Sequence, residues 1–419
     1  MRILWFTNTS SLYEQDTHAH YGGGWIESLE TLLAYKSNIE LAVSFFHKTD
    51  SKKSKKGNTT YYPIKSKARK NNPLKYIVEN WQGKIEDAKN INLLIEVIND
   101  FKPNLIHVFG TEGVFSSIQH YTNIPIVIQL QGIINPCVNA FFPPNLSKWD
   151  FIFSHDYFLD NILGRSPVFT YLRFLNQAKR EKENLKSAKY LIGRTEWDKS
   201  ISLSYNRNAT YFHIDEVLRP IFYTPHNKKE NVKKEITIIS TISPTIYKGI
   251  DVILKSAKIL KEDTDIKFQW KLIGLSSEDK LLKIFEKNLN INHRLFNIEC
   301  LGNKRPEDLS EILKKADVFI HPSYIDNSPN SICEAQILGL LVIASNVGGI
   351  ASLVSHKKSG ILIPANGVFE IISYLKNYME KKDEYMLISQ NGKKIATERH
   401  NQNKILMQVL NSYSEILNN

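Results

Sequence analysis

The sequence predicts an α/β protein of two doubly wound domains, each with a mainly parallel sheet covered by helices. Three observations predict this class. The chain has 419 residues, which is enough for two to three domains of about 150 residues each. Short β-rich apolar runs alternate with amphipathic helical patterns, as is typical of parallel sheets. A polar, turn-forming segment at 224–231 separates two series of such runs and is a candidate linker.

The predicted strands of the first series are Ile3–Phe6, Leu41–Phe46, Leu105–Phe109, Ile126–Leu130, Phe151–Ser154 and Tyr190–Gly193. Those of the second series are Ile236–Ile242, Phe268–Ile273, Ile298–Leu301, Ala316–His321, Leu341–Ala344 and Ile361–Ile363. Amphipathic spacing predicts helices over Ile250–Glu262, Pro306–Lys315, Phe369–Met379 and Arg399–Leu417. We therefore expect an N-terminal domain at 1–225, a C-terminal domain at 233–393 and a final helical segment at 394–419.

The positive charge of the chain is concentrated in one segment. The net charge is +11, and the stretch from Lys48 to Lys75 holds ten basic residues with Asp50 as its only acid, which gives +9. A uniformly basic surface is therefore not expected, and no nucleic-acid partner is predicted. Two interpretations of the segment 48–75 stay open: it contacts an anionic membrane surface, or its lysines solvate a mobile loop.

Cysteines and apolar runs exclude several other classes. The cysteines Cys137, Cys300 and Cys333 are too few and too scattered for a disulfide framework or a cysteine-based zinc site. No apolar run approaches the ~20 residues that cross a bilayer, and the run after Met1 is too short for a signal peptide. The sequence therefore predicts a cytoplasmic protein, soluble or peripheral on the inner face of the membrane.

The candidate chemistry lies in the second half of the chain. Lys248 follows the first strand of that half and precedes a helix, where anions are stabilised. Asp326 and Glu334 flank a later helix start, with amide groups expected near Asn330 and Ser331. This arrangement suits a sugar diphosphate, because amides bind phosphates and carboxylates accept hydrogen bonds from hydroxyls. Ser331 and Glu334 are also spaced as a capping box, and this alternative leaves Asp326 unexplained.

Five motifs of this half occur in a recognisable order: Lys248-Gly249, Leu301-Gly302, Asp326-x7-Glu334, Ala344-Ser345-Asn346-Val347-Gly348-Gly349 and Ser359-Gly360-Ile361-Leu362-Ile363. In this set, over residues 236–365, the sequence resembles the family-four GT-B glycosyltransferases, the glycosyl transferases of group 1. The resemblance implies a GT-B fold, with two Rossmann-like domains facing across a cleft and the final helix packing back on the first domain. It also implies a UDP- or GDP-linked sugar donor and metal-independent, retaining transfer without a cofactor.

The resemblance assigns roles to individual residues. Lys248 would bind the donor diphosphate, Asp326 the transferred sugar and Glu334 the ribose. The other donor-binding residues that it implies are Gly23, Gly24, Ser243, Gly302, Asn303, Asn327, Asn330 and Ser331. Arg194 is a further candidate for binding a donor phosphate, because it follows the end of the strand Tyr190–Gly193. For Arg194 an ion pair with Glu196 or Asp198 is an equal alternative.

Gln131 stands after the strand Ile126–Leu130, where many members of the family have a histidine. A glutamine can orient a hydroxyl but does not titrate, so general-base catalysis from position 131 is excluded. This fits retaining transfer, in which a donor phosphate oxygen takes the acceptor proton. We interpret Glu112 as facing the acceptor, and we expect Glu216 and Arg219 to form a structural pair.

The sequence thus predicts a hexosyltransferase of surface polysaccharide assembly (capsule, exopolysaccharide or O-antigen) with a lipid-linked or oligosaccharide acceptor. Two alternatives stay open. A nucleotide-sugar epimerase of the same fold would need titratable groups in the cleft. A non-catalytic nucleotide-sugar-binding protein would keep Lys248 and Glu334 and lack acceptor-side groups.

Overall fold

The computed structural model describes residues 1–13, 24–34, 36, 38–47, 52–65, 73–84, 87–144, 146–224 and 235–419. The chain divides into two compact units. Unit 1 consists of Met1–Val138, Asp160–Val217 and His400–Asn419, and unit 2 consists of Asn139–Leu159 and Leu218–Arg399.

The described part of unit 1 contains an eight-stranded sheet with the order β3-β4-β2-β1-β5-β6-β7-β8. Its strands are β1 Arg2–Phe6, β2 Glu40–His47, β3 Ser54–Lys56, β4 Thr59–Lys65, β5 Leu105–Phe109, β6 Ile126–Gln129, β7 Tyr190–Gly193 and β8 Thr210–His213. Neighbouring strands are parallel except β3 and β4. The strand order reverses between β1 and β5, and the carboxyl ends at such a switch point are where doubly wound sheets bind ligands.

The described part of unit 2 contains a parallel six-stranded sheet with the order β11-β10-β9-β12-β13-β14. Its strands are β9 Ile236–Thr241, β10 Phe268–Ile273, β11 Ile298–Cys300, β12 Val318–His321, β13 Leu341–Ser345 and β14 Ile361–Ile363. Here the order reverses between β9 and β12. The carboxyl ends of these two strands are therefore the switch point of unit 2.

The α-helices are α1 Gly24–Ala34, α2 Pro73–Trp81, α3 Asp87–Phe101, α4 Ile134–Asn139, α5 Lys148–Ile152, α6 Phe158–Ile162, α7 Pro167–Ser187, α8 Glu196–Tyr205, α9 Ile250–Glu262, α10 Lys280–Leu289, α11 Pro306–Lys314, α12 Asn330–Ile337, α13 Ile350–Leu353, α14 Val368–Glu380, α15 Lys382–Arg399 and α16 Gln402–Asn418. In the described part of the chain, no helix combines the length and apolar character that crossing a bilayer requires.

The last helix, α16, completes the core of unit 1. The residues that recur at helical spacing in the sequence, Ile405, Val409, Tyr413 and Ile416, are all buried against β1 and α1 residues such as Trp5 and Trp25. The Tyr413 hydroxyl accepts a hydrogen bond from Trp5 Nε1 at 3.1 Å and lies 2.6 Å from His107 Nδ1. The first strand and the last helix are thus joined by buried polar contacts as well as by packing.

The structure confirms the predicted α/β class with two doubly wound, Rossmann-like sheets. One predicted strand is wrong: Phe151 lies in helix α5. The run Phe151–Ser154 is apolar enough for a strand, but Ser147 begins a helix because its backbone N–H donates to Asp150 Oδ2 at 2.7 Å. This contact stabilises a helix start.

The interpretation of the segment 48–75 as a loop is wrong for residues 54–56 and 59–65, which form β3 and β4. β4 pairs with β2 over its whole length and buries Tyr61 and Ile64. The β-branched and aromatic residues of 59–64 favour a strand, and the surrounding lysines conceal this pattern. Lys48, Lys67, Arg69 and Lys70 lie outside the described residues. The short strand β8 was also not predicted.

The boundary of the two units differs from the predicted linker at 224–231. Leu218 and Phe222 belong to unit 2 because both are buried in its core with Ile239 and Phe319. The segment 139–159 also belongs to unit 2, where Phe141 and Tyr247 lie with ring centroids 6.0 Å apart.

Candidate functional site

Two oppositely charged side chains meet at the switch point of unit 2. Lys248 ends a single 3-10 turn after β9, and Asp326 lies in the loop after β12. Lys248 Nζ is 2.6 Å from Asp326 Oδ2, and the side chains are 20% and 16% exposed. Residues 78 positions apart are therefore joined at the sheet edge where ligands of this fold class bind.

His321 and the loop backbone fix the Asp326 carboxylate. His321 Nε2 lies 2.9 Å from Asp326 Oδ2, and the Asn327 N–H donates to Oδ1 at 3.1 Å. Burial would raise the pKa of Asp326, but the charge of Lys248 and the hydrogen bond from His321 outweigh it and hold this pKa well below its usual range. Burial also lowers the pKa of His321. Asp326 is therefore a fixed negative charge held by a neutral imidazole and a cation.

Two glycines of the predicted motifs set the position of these loops. Gly348 has φ +54°, and a Cβ there would lie 1.9 Å from the carbonyl oxygen of Asp326. The N–H of Gly349 donates to the same oxygen at 3.0 Å. Gly249 has φ +79°, and its Cβ would lie 2.2 Å from the carbonyl oxygen of Pro322. Only glycine fits at these positions, so both motifs hold the backbone beside the Lys248–Asp326 pair.

Glu334 pairs with a residue that sequence reasoning assigned elsewhere. Arg219 donates to Glu334 Oε1 from Nε at 3.0 Å and from Nη2 at 2.7 Å, and the Glu334 side chain is 6% exposed. Burial raises the pKa of Glu334, and Arg219 opposes this effect. Helix α12 begins at Asn330 after Pro329, without a side-chain cap, so the capping-box interpretation is wrong.

The remaining predicted residues of unit 2 lie in loops or at a helix end. Asn330 and Ser331 are the first two residues of α12, and Asn327 is 4% exposed. Ser243 is exposed, with Oγ 3.1 Å from Thr245 Oγ1. Gly302 has φ +64° with open space around its Cα, and the exposed Asn303 follows it. Their roles toward a donor stay predictions.

In unit 1, Arg194 is buried, at 5% exposure. Its guanidinium forms an ion pair with Glu216, and Nη2 donates to the carbonyl oxygen of Gln131 at 3.0 Å. An ion pair was the alternative to phosphate binding, but its partner is neither Glu196 nor Asp198. The predicted pairing of Glu216 with Arg219 is wrong, because each has a different partner. Arg194 thus supports the backbone of Gln131.

Gln131 lies in a loop that begins directly after β6 and leads to α4. The next residue, Gly132, donates its N–H to Glu112 Oε1 at 3.0 Å, so a carboxyl group is adjacent to the predicted acceptor position. Gly24 is the first residue of α1, and Gly23 lies outside the described residues. Within the described ranges, no three His, Cys, Asp or Glu side chains are grouped so that they could hold a metal ion.

Comparison of the sequence with known protein families gives a match in the second half of the chain. Residues 224–395 match the family described as Glycosyl transferases group 1. This segment is a group 1 glycosyl transferase domain. The resemblance inferred from the five motifs is thereby confirmed, and the group 1 domain contains the Lys248–Asp326 pair and the Arg219-bound Glu334.

Several curated proteins match parts of the chain that differ in length. The chain is 27% identical over 142 residues to the amylovoran biosynthesis glycosyltransferase AmsK of Erwinia amylovora, which covers 32% of this chain and 34% of AmsK. It spans 33% to 45% of the length of the first three curated relatives that it matches. A longer match, 22% identical over 82% of both chains, is the N,N'-diacetylbacillosaminyl-diphospho-undecaprenol alpha-1,3-N-acetylgalactosaminyltransferase of Campylobacter jejuni.

Solved structures match over nearly the whole chain and show the fold. Sucrose-phosphate synthase from Thermosynechococcus elongatus superposes with a TM-score of 0.73 at 15% identity, covering 99% of this chain and 98% of that one. Anabaena HepE in complex with UDP-glucose gives a TM-score of 0.65 at 16% identity, with 99% and 100% covered. Together these matches confirm the predicted GT-B class, with its two Rossmann-like domains.

Proposed function

We propose that the chain is a retaining glycosyltransferase that moves a sugar from a UDP- or GDP-linked donor to a hydroxyl of a saccharide acceptor. The Lys248–Asp326 pair at the switch point of the group 1 domain is the observation that carries this proposal. A cation and a carboxylate side by side match the diphosphate and the sugar hydroxyls of such a donor. The family of this domain and the names of its relatives support a transferase.

Lys248 and the start of α12 would stabilise the leaving diphosphate. As the bond between the anomeric carbon and the diphosphate oxygen breaks, negative charge develops on that oxygen, and a fixed cation lowers the barrier. Asp326 would accept hydrogen bonds from sugar hydroxyls, and Glu334 would accept them from ribose. The acceptor oxygen bonds to the same face of the anomeric carbon, its proton passes to a phosphate oxygen of the donor, and the nucleoside diphosphate leaves.

The acceptor is proposed to be lipid-linked or an oligosaccharide in surface polysaccharide assembly at the cytoplasmic side of a membrane. The printed names of two relatives support this choice, since one belongs to amylovoran biosynthesis and another acts on a diphospho-undecaprenol sugar. The acceptor is proposed to bind to unit 1 and the donor to unit 2, and the family match of residues 224–395 supports the assignment of the donor.

The test is turnover of UDP- and GDP-linked sugars by the purified full chain, with and without EDTA. Because Lys248 supplies the positive charge that a divalent cation would otherwise supply, we expect release of nucleoside diphosphate from one donor and no loss of rate with EDTA. Activity abolished by EDTA would contradict metal independence. Conversion of the donor sugar without release of nucleotide would favour an epimerase, and tight binding of UDP or GDP without turnover would favour a binding protein.

We further propose that the basic segment 48–75 contacts anionic membrane. Its described lysines are partly engaged: Lys53 Nζ is 2.5 Å from Asp100, and Lys56 Nζ is 2.6 Å from the carbonyl oxygen of Tyr13. Lys52 and Lys55 are exposed. Replacing both with alanine should weaken binding to phosphatidylglycerol vesicles by about 1 kcal/mol per lysine.

Vesicle co-sedimentation measures this change, with alanine at the exposed Lys381 and Lys382 as the control. Two results would show instead that these lysines only solvate the sheet edge. One is equal binding of the Lys52/Lys55 variant and the unchanged chain to phosphatidylglycerol vesicles. The other is equal binding of the unchanged chain to phosphatidylcholine and phosphatidylglycerol vesicles.

A further inference from the structure

Glu112 lies at the switch point of unit 1, in the loop that follows β5. The intervening Gly110 has φ +94°, and a Cβ at Gly110 would lie 2.1 Å from Glu112 Oε2 and 3.3 Å from Asn8 Nδ2. Asn8 follows β1. The carboxyl group thus lies against Gly110 and near Asn8, at the carboxyl ends of β5 and β1, the edge at which a sheet of this topology binds its ligand.

The loop that carries Gln131 is fixed to the same place by charged side chains. Glu112 Oε1 accepts the Gly132 N–H, and Arg194 donates to the Gln131 carbonyl. Glu181, itself buried, accepts the N–H groups of Ile134 and Asn135, each at 3.0 Å. The loop is therefore held rigidly before any ligand arrives, as a binding site requires.

The second oxygen of the Glu112 carboxyl group is buried and has no hydrogen-bond partner among the described residues. A polar atom in this condition costs free energy unless a ligand satisfies it. The charged groups around it are Arg180 and Glu181 of α7 and Arg194 after β7: Arg180 donates to the Glu112 carbonyl oxygen, and the other two act through their charges. Burial, and then the charge of Glu181, raise the pKa of Glu112 to about 7, while backbone hydrogen bonds at Glu112 itself and at Gly132, and the charge of Arg194, oppose this rise.

We propose that Glu112 is the acceptor-binding carboxylate of unit 1, with its Oε2 accepting a hydrogen bond from an acceptor hydroxyl next to the one whose proton passes to the donor phosphate, or from the second O–H group when water is the acceptor. This inference rests on the proposed transferase function and assigns that reaction a residue in the first unit. Gln131 can orient a hydroxyl but cannot change its charge. Position 131 itself has no group that can titrate. The acceptor site still contains one, because the Glu112 carboxyl group contacts Gly132, the residue next to Gln131.

Hydrolysis of the donor tests this role, because water is the smallest hydroxyl acceptor. In the unchanged full chain we expect the hydrolysis rate to rise as Glu112 loses its proton near pH 7. In Glu112→Gln the rate should fall roughly 100-fold and the rise should disappear. Glu112→Asp should retain the rise at a reduced rate. Glu183→Gln, an exposed glutamate on the neighbouring helix at 65%, should match the unchanged chain.

Unfolding at different pH values shows whether the variant is folded. Because the folded pKa of Glu112, about 7, is above the ordinary 4.5, the protonated form favours the folded state, and this stabilisation is lost as pH rises from about 4.5 to about 7. Glu112→Gln stays neutral, so it should be more stable than the unchanged chain above pH 7. A folded Glu112→Gln variant that keeps the pH-dependent rise would overturn the inference.

The outcomes separate the two proposals. Unchanged UDP or GDP binding and unchanged rates in Glu112→Gln would leave the transferase function standing and remove Glu112 from it. Absence of donor hydrolysis by the unchanged chain, with no release of nucleotide at any pH, would instead contradict the proposed function, and the role of Glu112 with it.

Discussion

Replacing Lys248 with alanine is expected to reduce donor turnover by roughly 100- to 1000-fold and to leave the chain folded. The ammonium group lies at the switch point of unit 2, 2.6 Å from Asp326, and it is the side chain proposed to meet the charge on the leaving diphosphate. After the substitution, Asp326 keeps its contacts with His321 and the Asn327 N–H. Because both side chains are mostly buried but still partly exposed, we expect the free energy of unfolding to fall by about 2 kcal/mol, between the costs for exposed and for buried pairs.

The measurement compares turnover with thermal unfolding in the same preparations. Lys283→Ala is the matched control, since Lys283 forms an exposed pair with Glu278 in the same unit and should change neither quantity. If Lys248→Ala lost activity and folding in equal measure, Lys248 would be a structural residue and the proposed role in leaving-group stabilisation would be wrong.

The substitution Gly348→Ala is expected to lower both the stability and the activity of the protein strongly. The new Cβ would lie 1.9 Å from the carbonyl oxygen of Asp326 at a residue with φ +54°, so the backbone that carries Asp326 must move. Steric crowding and the left-handed backbone together should lower the free energy of unfolding by roughly 3 kcal/mol. Activity should be lost even in the folded fraction, because a displacement of about 1 Å at a binding group is enough to impair catalysis.

Gly302→Ala separates these two causes. Gly302 has a similar φ of +64°, but no atom would lie within 4 Å of its Cβ. The free energy of unfolding of the Gly302→Ala variant should therefore fall by only about 1 kcal/mol, which is the cost of the left-handed conformation alone. Chemical denaturation of the two variants gives the comparison, and equal losses would show that contact with Asp326 contributes nothing.

Much of unit 2 could be predicted from the sequence because its elements are encoded locally. The strand Phe268–Ile273 and the helix Ile250–Glu262 have the predicted bounds, since apolar spacing and turn residues suffice to define them. Lys248 and Asp326 could be placed at one sheet edge because parallel strands end there together. In unit 1, β4 was missed because its strand-forming residues are surrounded by lysines.

Side-chain pairing across long sequence separations could not be predicted in the same way. Arg219 and Glu334 are 115 residues apart, and no spacing rule connects them. The contact of Glu112 with Gly132 depends on how two loops after neighbouring strands fold over Gly110. The position of Glu112 just after a buried strand already indicated that it faces the acceptor, but its place at the reversal of strand order became known only from the structure.

Helix α16 has a consequence for the order in which the protein can mature during synthesis. Its residues Tyr413 and Ile416 complete the core around Trp5, yet they are translated after the whole of unit 2. Unit 2 can therefore acquire its native form on the ribosome while unit 1 still exposes the apolar face of β1 and α1. We expect nascent chains that stop before residue 400 to hold a folded second unit and to need chaperones for the first.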